Sequence, residues 1–146
     1  RDRKQYGGFN LLLADAEQLW CVGSHQPEPV AVSPGWHGLS NATLNTPWPK
    51  LQRLLAGAQT LSAQQVAASR SHLELLADTT PAADSALPET GVGVLMERLL
   101  SPICIRTPAY GTRNSTWLRL TREEILWHEQ DYNEGVQREF QRARLS

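Results

Sequence analysis

The stretch GWHGLSNATLNTPWPK, residues 35–50, separates two parts of the chain that have different sequence patterns. Its first half contains a Gly-Leu-Ser-Asn turn, and its second half contains the helix-start signal Thr46-Pro47-Trp48-Pro49, with no regular apolar period between them. Thr46 suits an N-cap because its side chain can accept from free N–H groups, and Pro47 suits the first helical position because no donor is needed there. The stretch therefore predicts a constrained loop that ends where a helix begins.

The residues before this loop predict antiparallel strands. Gly8–Asp15 and Leu19–Ser24 are short apolar runs with a polar break between them, which is typical of a β-hairpin. Val30–Val32 predicts a third, short strand that ends at a Pro-Gly pair. Arg1–Gln5 resembles neither a signal peptide nor a regular first turn, and we interpret it as the exposed end of a helix from a longer protein.

The residues after the loop predict two helices. Six apolar residues keep helical spacing and form one stripe: Trp48, Leu51, Leu54, Leu55, Ala58 and Leu61. Ser62–Gln65 matches a capping box, so a second helix is predicted to run to about Ala77. This second helix would turn three apolar side chains inward: Val66, Leu73 and Leu76.

The last part of the chain predicts a loop, a short helix and several strands. Residues 78–93 are rich in Pro, Thr, Ser and Gly and predict a long loop, and Val94–Leu100 predicts a helix. Alternating patterns predict strands at residues 103–106, 115–120, 125–130 and 137–145. The second and third of these strands flank residues 121–124 and form a second hairpin, and the last is an edge strand blunted by charge. The predicted elements thus follow the order strands, helices, strands, which is typical of an α+β protein.

The composition suits one domain and excludes several classes of partner. The chain has 146 residues, with 14 basic and 15 acidic side chains. This balance predicts no nucleic-acid partner, and the longest apolar runs are too short for membrane insertion. Cys21 and Cys104 lie in apolar runs without metal-ligand spacing, which predicts buried free thiols and favours a cytoplasmic location. No motif predicts a cofactor.

Two familiar catalytic patterns are absent or incomplete. Gly38–Ala42 approaches a nucleophile elbow, and Asp78 and His128 follow in the matching order. We reject a serine triad because the elbow needs a strand directly before the serine and a helix directly after it. The four histidines have no i, i+4 pair, so no histidine metal site is predicted, although His37 in the loop stays open as a functional residue.

Two polar residues can carry chemistry, and each also has an ordinary structural explanation. The Asn41 amide can donate to a developing oxyanion, or it can form an Asx-turn with its own backbone. The Arg113 guanidinium can clamp a carboxylate or hold a catalytic group, or it can be a solvated cation at a turn. Considered singly, both residues favour the structural explanation.

Six blocks of sequence follow one another along nearly the whole chain. They are YGGFNLL (6–12), GLSNA (38–42), TPWPK (46–50), LPETGVG (87–93), ERLLSP (97–102) and YGTR (110–113). In this order they resemble the NRDE family, also called the transport and Golgi organisation family. The set of blocks is specific, although no single block is.

The resemblance implies a fold similar to that of N-terminal-nucleophile (Ntn) hydrolases, with two antiparallel sheets between helix layers in an αββα sandwich. In that architecture an N-terminal cysteine attacks an amide carbonyl, and its own α-amine acts as the base. The cysteine and the family's Asn-Arg-Asp-Glu segment are both missing here, and residue 1 is Arg. We therefore expect the chain to be the C-terminal portion of a longer protein and to be inactive alone.

The resemblance also implies roles for individual residues. In related cysteine amidases such as bile-salt hydrolases, an asparagine helps to bind the oxyanion and a later arginine steadies the nucleophile. By analogy, Asn41 and Arg113 are the expected catalytic residues. The expected substrate-binding residues are His37, Ser40, Trp48 and Tyr110.

Two functions of the complete protein stay open. One is hydrolysis of a small-molecule amide, and the other is binding or trafficking of an apolar ligand such as haem or an acyl lipid. Homodimerisation, or association with the missing N-terminal segment, would cover exposed sheet edges. His37 and Cys104 leave haem ligation open, but no spacing supports it. Tryptophans are more often core than pocket residues, although five of them can line an apolar pocket: Trp20, Trp36, Trp48, Trp117 and Trp127.

Overall fold

A computed structural model describes residues 7–15 and 17–143, and the chain divides into two units, Arg1–Pro47 and Trp48–Ser146. The first unit contains a three-stranded sheet, and the second contains four α-helices and another three-stranded sheet. Both sheets are antiparallel, so the predicted α+β class is confirmed. The expectations for residues 1–5 and 144–145 lie outside the described residues.

The sheet of the first unit consists of β1 (Asn10–Ala14), β2 (Leu19–Gly23) and β3 (Val30–Val32), in that order. The predicted hairpin and third strand are therefore confirmed. The central strand buries Cys21, which lies opposite Leu12 and Val30. The apolar side chains of β1 stay about half exposed, which leaves apolar surface on this unit.

Helix α1 (Pro49–Gln59) begins later than the sequence predicts. Trp48 occupies the cap position without a side-chain cap, and Pro49 rather than Pro47 lies at the start of the helix. The Thr46 hydroxyl donates to the Thr43 carbonyl at 2.9 Å, in a turn that the two residues also close through their backbones. The apolar stripe is confirmed at Leu51 and Ala58, the two buried residues of α1.

The single helix predicted from Ser62 to about Ala77 is wrong. The capping box forms as predicted, but α2 (Ala63–Val66) is separated from α3 (Ser69–Leu76) by Ala68, whose backbone is extended. Val66 is therefore exposed instead of facing inward, whereas Leu73 and Leu76 are half-buried. Helix α3 lies close to α1, because a Cβ at Gly57 would come within 2.7 Å of Leu75 Cδ2.

Helix α4 (Val94–Leu100) has the predicted bounds and anchors the long loop before it. The buried Glu97 carboxylate accepts from the Thr90 N–H at 2.7 Å and from the Thr90 hydroxyl at 2.6 Å. Arg98 pairs with Asp84, which lies in a short 3₁₀ turn of the same loop. Side chains of one helix thus fix a loop that has little regular structure of its own.

The strand predicted at residues 103–106 is wrong. The N–H of Cys104 donates to the carbonyl of Asp78 at 2.8 Å, not to a neighbouring strand. Only an isolated bridge between Arg106 and Gly111 forms there within the described residues. Cys104 is fully buried, and both cysteines are buried and free, as predicted.

The second sheet consists of β4 (Asn114–Leu120), β5 (Glu124–Asp131) and β6 (Gln137–Ala143), so the predicted hairpin and edge strand are confirmed. Helix α3 packs beside β4. Leu118, Trp127 and Phe140 lie directly opposite one another across the three strands, and all three are exposed. Over residues 7–15 and 17–143, each helix falls short of the length and apolar character that a bilayer crossing needs.

Candidate functional site

The loop of the first unit is fixed by Asn45. This residue has φ +62°, a left-handed conformation that asparagine tolerates better than most residues. Its side-chain oxygen accepts from the Gly38 N–H at 3.0 Å, and its N–H donates to the Gly38 carbonyl at 2.7 Å. Its amide group also lies 2.9 Å from His37 Nδ1, and His37 Nε2 lies 2.8 Å from the Ser33 carbonyl.

These contacts define the state of the His37 ring. Because the amide nitrogen of Asn45 can only donate, His37 Nδ1 accepts from it, and His37 Nε2 carries the proton that is donated to the Ser33 carbonyl. Both ring nitrogens are thereby bonded to the protein. The ring therefore stabilises the loop, and neither nitrogen is free to bind a ligand. The loop segment between Ser33 and Asn45 is consequently a closed, hydrogen-bonded structure.

A second contact attaches the loop to the sheet. The Asn10 side chain on β1 donates to the carbonyl of Ser40 at 2.5 Å. Gly23 makes room for this asparagine, since a Cβ there would lie 2.3 Å from Asn10 Oδ1. The backbone carbonyl of Ser40, a predicted substrate-binding residue, is therefore bonded to β1, and its side chain takes no part in this contact.

Asn41 differs from the other asparagines of this unit. It is exposed and borders a cavity of about 400 Å³ together with Phe9, Asn10 and His25. Among the described residues nothing hydrogen-bonds its side chain, so the expected Asx-turn is not seen. The two asparagines of the loop therefore differ. Asn45 holds the backbone, and the Asn41 amide has no partner within residues 7–15 and 17–143.

A groove of about 690 Å³ lies along the other side of the same loop. Trp36 forms part of its wall and is 47% exposed. His37 lines this groove but Asn41 does not, so the two predicted site residues face different spaces. The other apolar lining residues are Leu12, Leu19, Val32, Leu39 and Leu44.

The second unit brings together two of the predicted residues. Tyr110 and Arg113 line a groove of about 480 Å³ between the 105–113 hairpin and the Tyr132-Asn133 turn. Tyr110 is 63% exposed, and its backbone is held by the Thr107 hydroxyl. The Arg113 side chain is exposed and has no hydrogen-bond partner within the described part of the chain.

Trp48 does not line this groove. It is half-buried at the start of α1, and the Lys50 ammonium lies 5.7 Å from the centre of its ring. Lys50 donates to the Leu100 carbonyl at 3.1 Å. Burial lowers the pKa of Lys50, and the nearby carboxylate of Glu97 acts in the opposite direction. Lys50 thus links the start of α1 to the end of α4, and Trp48 lies beside Lys50.

The two triad candidates of the second unit have structural partners. His128 Nδ1 lies 2.6 Å from the Ser69 hydroxyl, and its ring meets Trp117 edge-on across the sheet. The Asp78 carboxylate accepts from Thr80, which lowers its pKa, and pairs with Arg53 at 2.7 Å. Glu139 also approaches His128, but at the same nitrogen as Ser69, so a proton relay through the two ring nitrogens does not form.

The core explanation of the tryptophans is wrong for three of the five. Trp20, Trp36 and Trp127 are between 41% and 47% exposed, and Trp48 and Trp117 are half-buried. Of these residues, Trp36 lines the groove of the first unit. Across the described ranges, no three His, Cys, Asp or Glu side chains are grouped so that they could hold a metal ion.

Comparison with known proteins gives the family. The family model described as "Transport and Golgi organisation 2" matches residues 1–134. The chain belongs to the transport and Golgi organisation 2 family. This confirms the resemblance to the NRDE family, which is the same family under another name.

Mammalian relatives show how much of the family protein this chain represents. The human transport and Golgi organization protein 2 homolog is 32% identical over 127 residues, and the bovine homolog is 33% identical over 128 residues. The mouse homolog is 30% identical over 127 residues. Each alignment covers 76% of this chain and 45% of the relative, so the chain spans less than half the length of these relatives.

Sequence reasoning missed Asn10 and Asn45, the residues that fix the loop. Asn45 carried a usable signal, because asparagine is one of the few non-glycine residues that readily adopt positive φ. Asn10 carried none, since its partner is a backbone carbonyl 30 residues away along the chain.

Proposed function

We propose that the complete protein binds an apolar small molecule, and that the groove beside the 33–45 loop forms part of the binding site. The observation that carries this proposal is the partly exposed Trp36 in a groove whose other walls are mainly aliphatic. Aromatic and aliphatic lining with few polar groups is the usual character of a small-molecule site. The names of the mammalian relatives refer to transport, which favours binding over turnover.

Four polar side chains line the groove, Glu17, Gln18, Ser33 and His37, and two of them are engaged with the protein. Both His37 nitrogens bond to the protein, and the Gln18 side chain donates to backbone carbonyls at its edge. A ligand there gains mainly from apolar area removed from water, at about 25 cal/mol per Å². The proposed ligand class is therefore a hydrophobic molecule with at most one polar end, such as an acyl chain or a porphyrin.

Replacing Trp36 with Ala is expected to weaken binding of a hydrophobic probe about tenfold, because the variant loses an aromatic wall worth about 1.5 kcal/mol of contact. The measurement is a fluorescence titration of the complete protein with a fluorescent fatty acid. Trp127→Ala is the matched control, because Trp127 is similarly exposed but does not line this groove. Equal weakening by both variants, or no saturable binding by the parent protein, would refute the proposal.

A second function, amide hydrolysis, is favoured by one observation. The Asn41 amide has no hydrogen-bond partner among residues 7–15 and 17–143, and it lies on a loop that is hydrogen-bonded at several points, which suits an oxyanion-binding donor. In this proposal the nucleophile is an N-terminal cysteine of the complete protein, as the family resemblance implies, and Arg113 steadies it.

Covalent trapping of the complete protein distinguishes the two functions. If it is a hydrolase, an acylating amide or ester probe is expected to add one acyl group to the N-terminal cysteine, because the thiolate attacks the carbonyl and expels the leaving group. Intact-mass analysis with peptide mapping gives the result. A complete protein without an N-terminal cysteine, or one that binds the probe without acylation, contradicts hydrolysis and leaves the binding function.

A further inference from the structure

We propose that the second unit contains an oxyanion-binding site, formed by Arg106 and Arg113 in the groove between the 105–113 hairpin and the Tyr132-Asn133 turn. Both arginines line this groove of about 480 Å³, and Tyr110 presents a phenol to the same space. The ligand is a carboxylate or a phosphate group. This inference concerns residues outside the apolar groove. It shares Arg113 with the hydrolysis proposal, but anion binding is measured without any turnover, so the two can fail separately.

The argument begins from the partners of the arginines in this unit. Five arginines contact carboxylates at 4.0 Å or less, and these are Arg53, Arg70, Arg98, Arg119 and Arg138. Arg106 and Arg113 have no carboxylate partner in residues 48–143. They share one groove, and none of its lining residues is acidic. Arg106 also borders a second cavity, whose acidic lining residues are Glu74, Glu129, Asp131 and Glu139. Such a pair attracts an anion from solution.

The guanidinium of Arg106 is held in place by a fixed aromatic ring. It lies 4.7 Å from the centre of the Tyr132 ring. Tyr132 is fixed at both ends, since its N–H donates to the Arg113 carbonyl at 2.9 Å and its hydroxyl donates to Ser115 at 3.1 Å. Stacking on the ring engages the face of the guanidinium and leaves its N–H edge available for a planar anion.

The Asp131 carboxylate, directly before the Tyr132-Asn133 turn, is engaged by groups other than Arg106 and Arg113. The Asp131 carboxylate accepts from the N–H groups of Glu134 and Asn133 and from Arg138. These contacts, the Glu134 N–H first among them, hold the pKa of Asp131 below its usual range. Its charge is therefore matched within the turn, and the charges of Arg106 and Arg113 are not.

The backbone of the hairpin sets the width of the groove. The Thr112 N–H donates to the Ile105 carbonyl at 2.8 Å, and the Ile105 N–H donates to the Thr112 hydroxyl at 2.9 Å. A Cβ at Gly111 would lie 2.8 Å from the Ile105 carbonyl, so a side chain there would force the two segments apart. The hairpin thus holds the backbone segments that carry Arg106 and Arg113 close together.

The test is an NMR titration of the ¹⁵N-labelled complete protein with sodium phosphate and, separately, sodium acetate, against sodium chloride at equal ionic strength. We expect saturable shifts of the Arg106 and Arg113 Nε–H signals. Arg106→Gln or Arg113→Gln should each weaken binding about fivefold through loss of a charge-assisted hydrogen bond. The tighter of the two anions identifies the source as a phosphate ester or a carboxylate.

Two further variants keep the result interpretable. Arg122→Gln removes an arginine at the β4–β5 turn, outside the groove, and should leave the affinity unchanged. Arg106→Lys keeps the charge but loses the stacked fork, and should fall between the parent and Arg106→Gln. Equal loss from Arg122→Gln, unchanged affinity in Arg106→Gln and Arg113→Gln, or no saturation with either anion would overturn the proposal.

Discussion

Replacing Glu97 with Ala is expected to lower the free energy of unfolding of the complete protein by about 3 kcal/mol. The buried carboxylate accepts from both the N–H and the hydroxyl of Thr90, and the substitution removes both of these hydrogen bonds. It also removes the carboxylate that raises the pKa of Lys50, so that pKa is expected to fall further. Urea denaturation measures the first effect, and NMR titration of the Lys50 side chain measures the second.

Two other variants show whether the cause is the buried contact. Glu97→Gln keeps one acceptor oxygen and should lose about half as much stability as the alanine variant. Glu74→Ala removes an exposed glutamate that pairs only with Arg70 one turn away on α3, and should cost less than about 0.5 kcal/mol. A loss from Glu97→Ala no larger than that from Glu74→Ala would show that Glu97 does not fix the loop.

Replacing Asn41 with Ala is expected to lower kcat about 100-fold if the complete protein hydrolyses amides, with a smaller change in KM. The reason is that the side-chain amide would donate to charge that develops only in the transition state. Loss of such a donor affects turnover more than ground-state binding. Hydrolysis of a series of acyl p-nitroanilides by the complete protein measures both constants.

Asn114→Ala is the control for this substitution, because Asn114 is also exposed but donates to Glu129 within the second sheet. It should leave both kinetic constants unchanged. Asn41→Asp should be as slow as the alanine variant or slower, since a carboxylate repels the developing negative charge. Unchanged kcat in Asn41→Ala would remove Asn41 from the mechanism, whatever the affinity for apolar probes.

The strands were predictable from sequence because their signals are local. Alternating apolar residues bounded by polar breaks predicted both hairpins, and the charged pattern of β6 predicted an edge strand. Helix α4 was equally readable, since a Gly-rich segment precedes it and Pro102 follows it. In each case the residues that decide the structure lie within or beside the element itself.

The errors in the fold have causes that are distant in sequence. Residues 103–106 alternate like a strand, but the Cys104 N–H bonds to the carbonyl of Asp78, which no short-range pattern reveals. The helix break at Ala68 lies in a segment without Gly or Pro, so local propensity favoured a continuous helix. The start of α1 was misplaced because two Pro residues offered two plausible first positions.

The candidate site was predicted by residue type better than by arrangement. Tyr110 and Arg113 were predicted as parts of one site, and they line one groove. Asn41 and His37 were predicted as parts of one site, yet they border different cavities. The contact of the Arg106 guanidinium with the Tyr132 ring was not predictable, because Tyr132 comes from a later part of the chain. The catalytic and substrate-binding roles stay predictions.

The hydrogen bonds that join His37, Asn45 and Gly38 have a consequence for the thermodynamics of ligand binding. Contacts within the chain itself hold Asn45 in its left-handed conformation and engage both ring nitrogens of His37. The conformational entropy of this segment is therefore lost during folding and not again when a ligand arrives. A molecule that enters the adjacent groove keeps more of the free energy of its contacts, and its association rate is not limited by ordering of the wall.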